Sequence, residues 1–234
     1  MKKIALIALF IGLGLMASAQ EFTLYGEFVR PQGRYFAGPM AKNGTTRYPR
    51  TAVTDTANNY GGATYGWGAG FQVAFPMATE GLDILVDAAF RMNWPGKSIQ
   101  TYFDDYAANN NTEGITRPPY YYNIPLLAGP RITITPFEGL GLFASITAGF
   151  NVRIITDAIF SYDLFYDYRT TCTLGLRLAA GMIISDHLRL EANWNWLGNE
   201  PVLVETYKNG YFSPEEVFGT LKTTQVALRL GWTF

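Results

Sequence analysis

The chain has 234 residues, with 18 basic and 19 acidic side chains, 15% aromatic residues and a single cysteine. The near balance of charge offers no basic surface for nucleic acid, and a lone Cys172 excludes an internal disulfide framework. Overall hydropathy is near zero, so a membrane protein could have this composition only as a β-barrel, whose alternating strands dilute the apolar signal in every window.

The first nineteen residues read as a leader. Met1-Lys2-Lys3 is a positive start, Ile4 to Met16 is an uncharged apolar run, and Ala17-Ser18-Ala19 is a small-residue cleavage site before Gln20. That is the layout of a secretory signal peptide. The run is shorter than the roughly 20 apolar residues that span a bilayer, and no Cys follows the site to take a lipid anchor. The expected organisation is a signal peptide over 1–19 and one domain over 20–234. Loss of Lys2 and Lys3 leaves 16 basic against 19 acidic side chains.

Eight strand-like segments follow, near 22–30, 63–76, 82–94, 120–135, 141–153, 169–184, 188–197 and 221–234. Their connections alternate in length. Residues 31–62, 95–119, 154–168 and 198–220 are long, polar and rich in Gly, Pro, Asn and Tyr, whereas 77–81, 136–140 and 185–187 are short turns. An even number of strands with long and short connections in turn is the rhythm of an antiparallel barrel crossing a membrane, with short periplasmic turns and longer outer loops. Both termini then lie in the periplasm. A Greek-key sandwich gives no reason for this rhythm.

Alternation assigns the faces. In 82–94, Ile84, Val86, Ala88, Phe90 and Met92 oppose Asp83, Asp87, Arg91 and Asn93. Ser145, Thr147, Asn151 and Arg153 oppose Ile146, Ala148, Phe150 and Val152. In 169–184, Leu174, Leu176, Leu178, Ala180 and Met182 oppose Thr173, Gly175, Arg177 and Gly181, and Cys172 falls on the apolar face as a small hydrophobe. Leu188, Leu190, Ala192, Trp194 and Trp196 oppose Arg189, Glu191, Asn193 and Asn195. The last strand sets Val226, Leu228, Leu230, Trp232 and Phe234 against Gln225, Ala227, Arg229, Gly231 and Thr233. Closing on Phe after alternate apolar residues, it resembles the terminal sorting strand of bacterial outer-membrane barrels. The central apolar positions carry no charge, as lipid contact requires.

A soluble barrel has the same alternation with its faces exchanged. The leader, the terminal Phe, the loop rhythm and the aromatics select the membrane. Tyr65, Trp67, Trp94, Tyr120, Tyr122, Trp194 and Trp196 fall at the outer strand ends, and Phe22, Phe75, Trp232 and Phe234 at the periplasmic ends. Two girdles suit two membrane–water interfaces. The fold class expected is all-β, an eight-stranded antiparallel transmembrane β-barrel. Pro125 and Pro130 each remove a ladder donor from the fourth strand, and a bulge near Pro130 is expected to absorb this and shift the register.

The stretch from Tyr120 to Val152 carries Ile124-Pro125-Leu126-Leu127, a short turn and a Gly-containing apolar strand from Leu142 to Val152. With the later LRLEANWNWLGN it resembles the outer-membrane protein β-barrel domain family, which includes PorT-like proteins and stands beside the small OmpA- and OmpX-like barrels. The resemblance implies an eight-stranded outer-membrane barrel, makes Pro125 expected, and implies no single function.

Three places could carry chemistry. The lumen would collect Glu27, Asp83, Asp87 and Glu191 against Arg91, Arg131, Arg153, Arg177, Arg189 and Arg229. Eight strands enclose an interior that side chains just fill, and Arg suits bidentate carboxylate pairing, so a salt-bridged plug is expected. A narrow, anion-favouring pore is the alternative, drawn from the surplus of Arg. An outer-membrane enzyme comes third. It would need a general base, and the one histidine, His187, sits in Ser185-Asp186-His187, which reads as turn chemistry on the periplasmic side. Asp104-Asp105 has no His beside it and reads as a solvated loop. No Cys/His cluster or calcium-loop spacing suggests a metal, and no cofactor is expected. The Tyr- and Asn-rich outer loops, TYFDDYAANNN and RPPYYYN, either bind a partner or fold together and extend the barrel. The partners expected are outer-membrane lipid, the barrel-assembly machinery at the terminal strand, and an envelope protein at the loops.

Overall fold

The computed structural model describes residues 21–32, 54–55 and 60–234; the expected leader and most of the first outer loop lie outside them. Eight long strands form the wall: β1 (Glu21–Gln32), β4 (Ala63–Pro76), β5 (Leu82–Pro95), β6 (Tyr121–Phe137), β7 (Leu140–Ile155), β10 (Thr171–Ile184), β11 (Leu188–Lys208) and β13 (Glu216–Thr233). Each pairs antiparallel with the next, and β13 returns to β1 with Glu27 opposite Arg229 and Phe28 opposite Leu228. The wall has no free edge, and the fold is an eight-stranded closed barrel, as the spacing of strand-like segments indicated.

The short turns gather at the end where β1 begins and β13 finishes. Ser185 and Asp186 take left-handed backbone (φ 52° and 65°), the conformation that Asp and other small polar residues tolerate in tight turns. At the other end the connections expected as loops contain structure. Within 95–119 lies a helix, α1 (Lys97–Asn110). Its Ile99, Phe103 and Ala107 are buried at intervals of four, the stripe of one helical face. Within 154–168 are β8 (Ala158–Ser161) and β9 (Leu164–Tyr168), and β9 pairs with the upper part of β11. Most of 198–220 is not loop at all: β11 and β13 run on through it as a ladder, with irregularities between Trp196 and Asn199 and between Val202 and Leu203. The tip carries β12 (Tyr211–Phe212). Two further short strands, β2 (Thr54–Asp55) and β3 (Tyr60–Gly61), pair with one another.

The bulge expected near Pro130 is absent. Ile84 stands opposite Pro130 and Asp83 opposite Arg131 in unbroken register, and the only shift against β7 comes at Ile134/Phe137, beside the turn. The two prolines sit five residues apart, so their missing N–H groups face opposite neighbours. The ladder to β5 skips Ile124 and Pro125, and the ladder to β7 skips Gly129 and Pro130. Each neighbour loses one local contact and the alternation of faces survives.

That alternation turns the molecule inside out. Among wall residues pointing outward, Leu174 is 64% exposed, Phe150 59% and Leu126 54%, whereas Asp87, Arg91 and Arg177 inside are 0% exposed. Tyr65, Trp67 and Trp94 are exposed towards the helix end, and Trp232 and Phe234 at the termini end. An uncharged apolar belt between aromatic rims is the surface a barrel presents to lipid. We predict that Phe150→Arg, at the middle of this belt, lowers unfolding stability in lipid vesicles by about 2–4 kcal/mol, measured by denaturant titration.

Candidate functional site: the charged lumen and its cap

The inward positions of β1, β5, β10, β11 and β13 bring acids and arginines to one level. Arg91 donates to both carboxylate oxygens of Glu27, from Nε at 2.6 Å and from Nη2 at 3.2 Å. Arg229 donates from Nε to Glu27 at 2.7 Å, and from Nη1 to Asp87 at 2.8 Å and to Glu191 at 3.1 Å. Arg177 Nη1 lies 2.7 Å from Asp87 Oδ2 and pairs with it as an ion. Tyr25 donates its hydroxyl to Asp87 at 3.1 Å and offers its ring face to Arg229, 4.1 Å from the guanidinium carbon. Three carboxylates and three guanidinium groups thus meet out of water. Burial of charge is tolerated when partners and hydrogen bonds are supplied together; Arg91 and Arg229 have both, whereas Arg177 has its ion pair with Asp87 and no hydrogen bond from its buried guanidinium nitrogens.

The small residues of β4 make this possible. Gly66, Gly68 and Gly70 point inward at alternate positions. Gly68 stands between Glu27 on β1 and Arg91 on β5. A Cβ there would lie 2.7 Å from Glu27 Oε1 and 2.8 Å from the Phe90 carbonyl. At Gly70 it would lie 2.4 Å from the Tyr25 hydroxyl. The missing side chains of one strand are the space through which its two neighbours join.

A second tier closes the termini end. Arg131 is clamped between Glu21 (Nη1 to Oε1, 2.7 Å) and Asp83 (Nη2 to Oδ2, 2.8 Å). Arg189 reaches Glu21 at 3.0 Å and Glu191 at 3.4 Å, and lies over the Phe143 ring. Towards the helix end the filling is neutral apart from Arg153. Gln225 accepts from Arg91 and donates to Asn93 at 2.8 Å, and Asn151 donates to Asn123 at 3.1 Å. Arg153 stands apart from both ionic tiers and donates to the carbonyls of Leu221 and Pro201. Above it an apolar cluster roofs the lumen: Ile99 and Phe103 of α1 pack with Tyr121, Phe160, Tyr168 and Val204.

Every charged residue expected in the lumen points inward; they form two ionic tiers joined at Glu191, which both Arg189 and Arg229 reach, and Arg153 lies outside them with its bonds to carbonyls. Glu21, Tyr25 and Gln72, which donates to Glu191 at 3.2 Å, were not singled out from the sequence, and Gln225 was placed on the inward face without being counted in the network. Glu21 shares the parity of Glu27, six residues on, and that alternation is the signal that would have found it. With Glu21, five carboxylates stand against six arginines inside the wall, a smaller surplus than the sequence count of four against six. His187 serves the turn: Nδ1 lies 3.0 Å from the Thr233 carbonyl, and the ring stacks on Trp232. Asp104 and Asp105 are exposed on α1. Among the described residues no group of three His, Cys, Asp or Glu side chains could hold a metal ion.

No family model matches the chain, and no curated protein matches it in sequence. Solved structures similar to it include Neisserial surface protein A (NspA), at 10% identity over 91% of this chain and 94% of that one, with a TM-score of 0.49. OprG from Pseudomonas aeruginosa is also 10% identical, over 93% and 97%, at 0.48. Ail of Yersinia pestis is 10% identical, over 92% and 98%, at 0.39. The barrel is established by this chain's own ladder and faces; likenesses this distant add nothing to it.

Breaking one member of the central tier strands a buried charge. Glu27→Gln and Arg91→Met are each expected to cost about 3–5 kcal/mol in unfolding stability, and the double substitution less than their sum. Gly68→Ala is expected to destabilise through the same pair. Denaturant titration in lipid vesicles measures all four.

Proposed function

We propose that the protein is an integral outer-membrane β-barrel with a sealed lumen, acting through the structured surface at its helix end as a structural or interaction platform rather than as an enzyme. The observation that carries this reading is the double closure of the interior. Two ionic tiers fill the wall, and the Ile99–Phe103–Phe160 roof covers its mouth. An eight-stranded wall leaves little room beyond its own side chains, and bidentate Arg–carboxylate pairs hold their geometry. In this reading both termini face the periplasm, the terminal strand from Val226 to Phe234 is what the assembly machinery engages, and the helix end carries the contacts with an envelope partner. The PorT-like relationship drawn from Tyr120 to Val152 belongs to the same proposal. His187, spent on a turn and on Trp232, supports the non-enzymatic reading.

The test is single-channel conductance of the refolded protein in a planar bilayer, with insertion verified independently. A sealed barrel is silent. Stepwise, anion-favouring currents would overturn the seal and make the lumen arginines a permeation path.

A further inference from the structure

The outer sheet at the helix end has one face packed on the roof and one face open. On the roof side, Phe160 and Tyr166 stack into the cluster with Tyr106 and Phe103. The open face is organised in rows by the register of β9 and β11. Tyr207 stands opposite Phe165, and Phe165 opposite Ile159. Phe165 stacks on Tyr207 at 4.6 Å, and Phe212 closes edge-on against both. This aromatic ledge runs into an open groove of about 460 Å³ lined by Ile159, Phe165, Thr116, Arg117 and the exposed Tyr162.

The next row on the same face is acidic. Glu205 stands directly opposite Asp167, and both are exposed. Carrying the register one residue past Ala158 and Tyr166 places Asp157 beside Asp167. Burial, and then the Asp167 carboxylate, push Asp157 above its ordinary value, while Arg117 draws it back. The nearby cations are largely spoken for: Arg117 faces Asp157, and Arg169 binds Glu215 at 2.8 Å. Lys208 pairs opposite Leu164, one register position off the ledge and on the other parity. Asp167 and Glu205 are left facing one another with no cation between them among the described residues. Like charges directly opposite on a ladder destabilise it, and the fold gains nothing from this pair.

We propose that this open face docks a cationic, aromatic-bearing peptide segment of a partner protein, its basic side chains over Asp167 and Glu205 and its apolar side chains on the Tyr207–Phe165 ledge and in the adjoining groove. The complementarity is of two kinds at once. Carboxylates steer and select a basic partner, and aromatic rings supply contact area and a face for guanidinium groups. The inference rests on the reading of the helix end as the working surface.

The test uses the protein in nanodiscs of phosphatidylcholine, which gives cationic peptides no anionic lipid to bind. The probes are an amidated hexapeptide of alternating Arg and Trp and its Glu–Trp counterpart, followed by fluorescence anisotropy. The Arg peptide is expected to bind and the Glu peptide not, with affinity falling as salt is raised. Asp167→Asn with Glu205→Gln is expected to weaken binding about tenfold, as loss of steering and pairing does, while leaving the unfolding midpoint unchanged or raised because the repulsion is gone. Tyr207→Ser is expected to weaken it without altering the salt dependence. Equal binding of both peptides, equal affinity in the double variant, or binding of calcium alone without the peptide would overturn the proposal. A barrel silent in the bilayer yet indifferent to the peptide would remove this inference and leave the sealed platform standing.

Discussion

The cluster of Glu27, Asp87 and Glu191 with Arg91, Arg177 and Arg229 is the constraint on which the rest depends. Its members come from five of the eight strands, β1, β5, β10, β11 and β13. Glu27 and Arg229 span the seam where the chain's first and last strands meet. The pairing that fills the lumen is therefore also a pairing across the closure of the barrel. A membrane barrel buries little apolar surface inside, so the polar interior has to specify the register instead. Pairs that work only when five strands are aligned do this, because a slip of one residue would turn each charge out towards lipid.

The neutral wall completes the logic. β4 contributes three inward glycines, so the long side chains of β1 and β5 can cross in front of it. β6 offers Leu127 and Gly129 inside, and its two prolines interrupt hydrogen bonding on opposite flanks. Charge is concentrated where partners can reach one another, and small or neutral residues stand where they would be in the way. At the helix end the interior changes character. Ile99, Phe103, Tyr121 and Phe160 form an ordinary apolar core above a polar lumen. A core there needs water outside it, which places the roof beyond the apolar belt.

The barrel was legible in the sequence because period-two alternation is strict where one side meets lipid and the other meets charges. Leu188 to Trp196 and Val226 to Phe234 show it without interruption, and so the lumen residues could be named by parity alone. The structure above the belt was not legible, for a different reason in each place. α1 carries Ile99, Phe103 and Ala107 at helical spacing, but among Asp, Asn and Tyr residues whose local preference is for turns. In β11 and β13 the irregularities after Trp196 and Val202 break the parity, so the strands look finished where they continue. The tiers themselves were hidden because parity tells which side a residue faces and not its height. Arg153 and Arg177 share a face and differ in partners. Pro130 misled because a lost donor was expected to need a bulge, whereas the skip in the ladder to β7 absorbs it.

The central claim is that the guanidinium groups of the two ionic tiers are held out of water in fixed pairs with carboxylates. Nitrogen-resolved NMR of the arginine side chains in nanodiscs tests it directly. The account predicts that the Nε protons of Arg91 and Arg229 give separate signals that exchange slowly with solvent and disappear in Glu27→Gln. Rapid exchange, indistinguishable from that of the exposed Arg169, would contradict it and imply a hydrated interior.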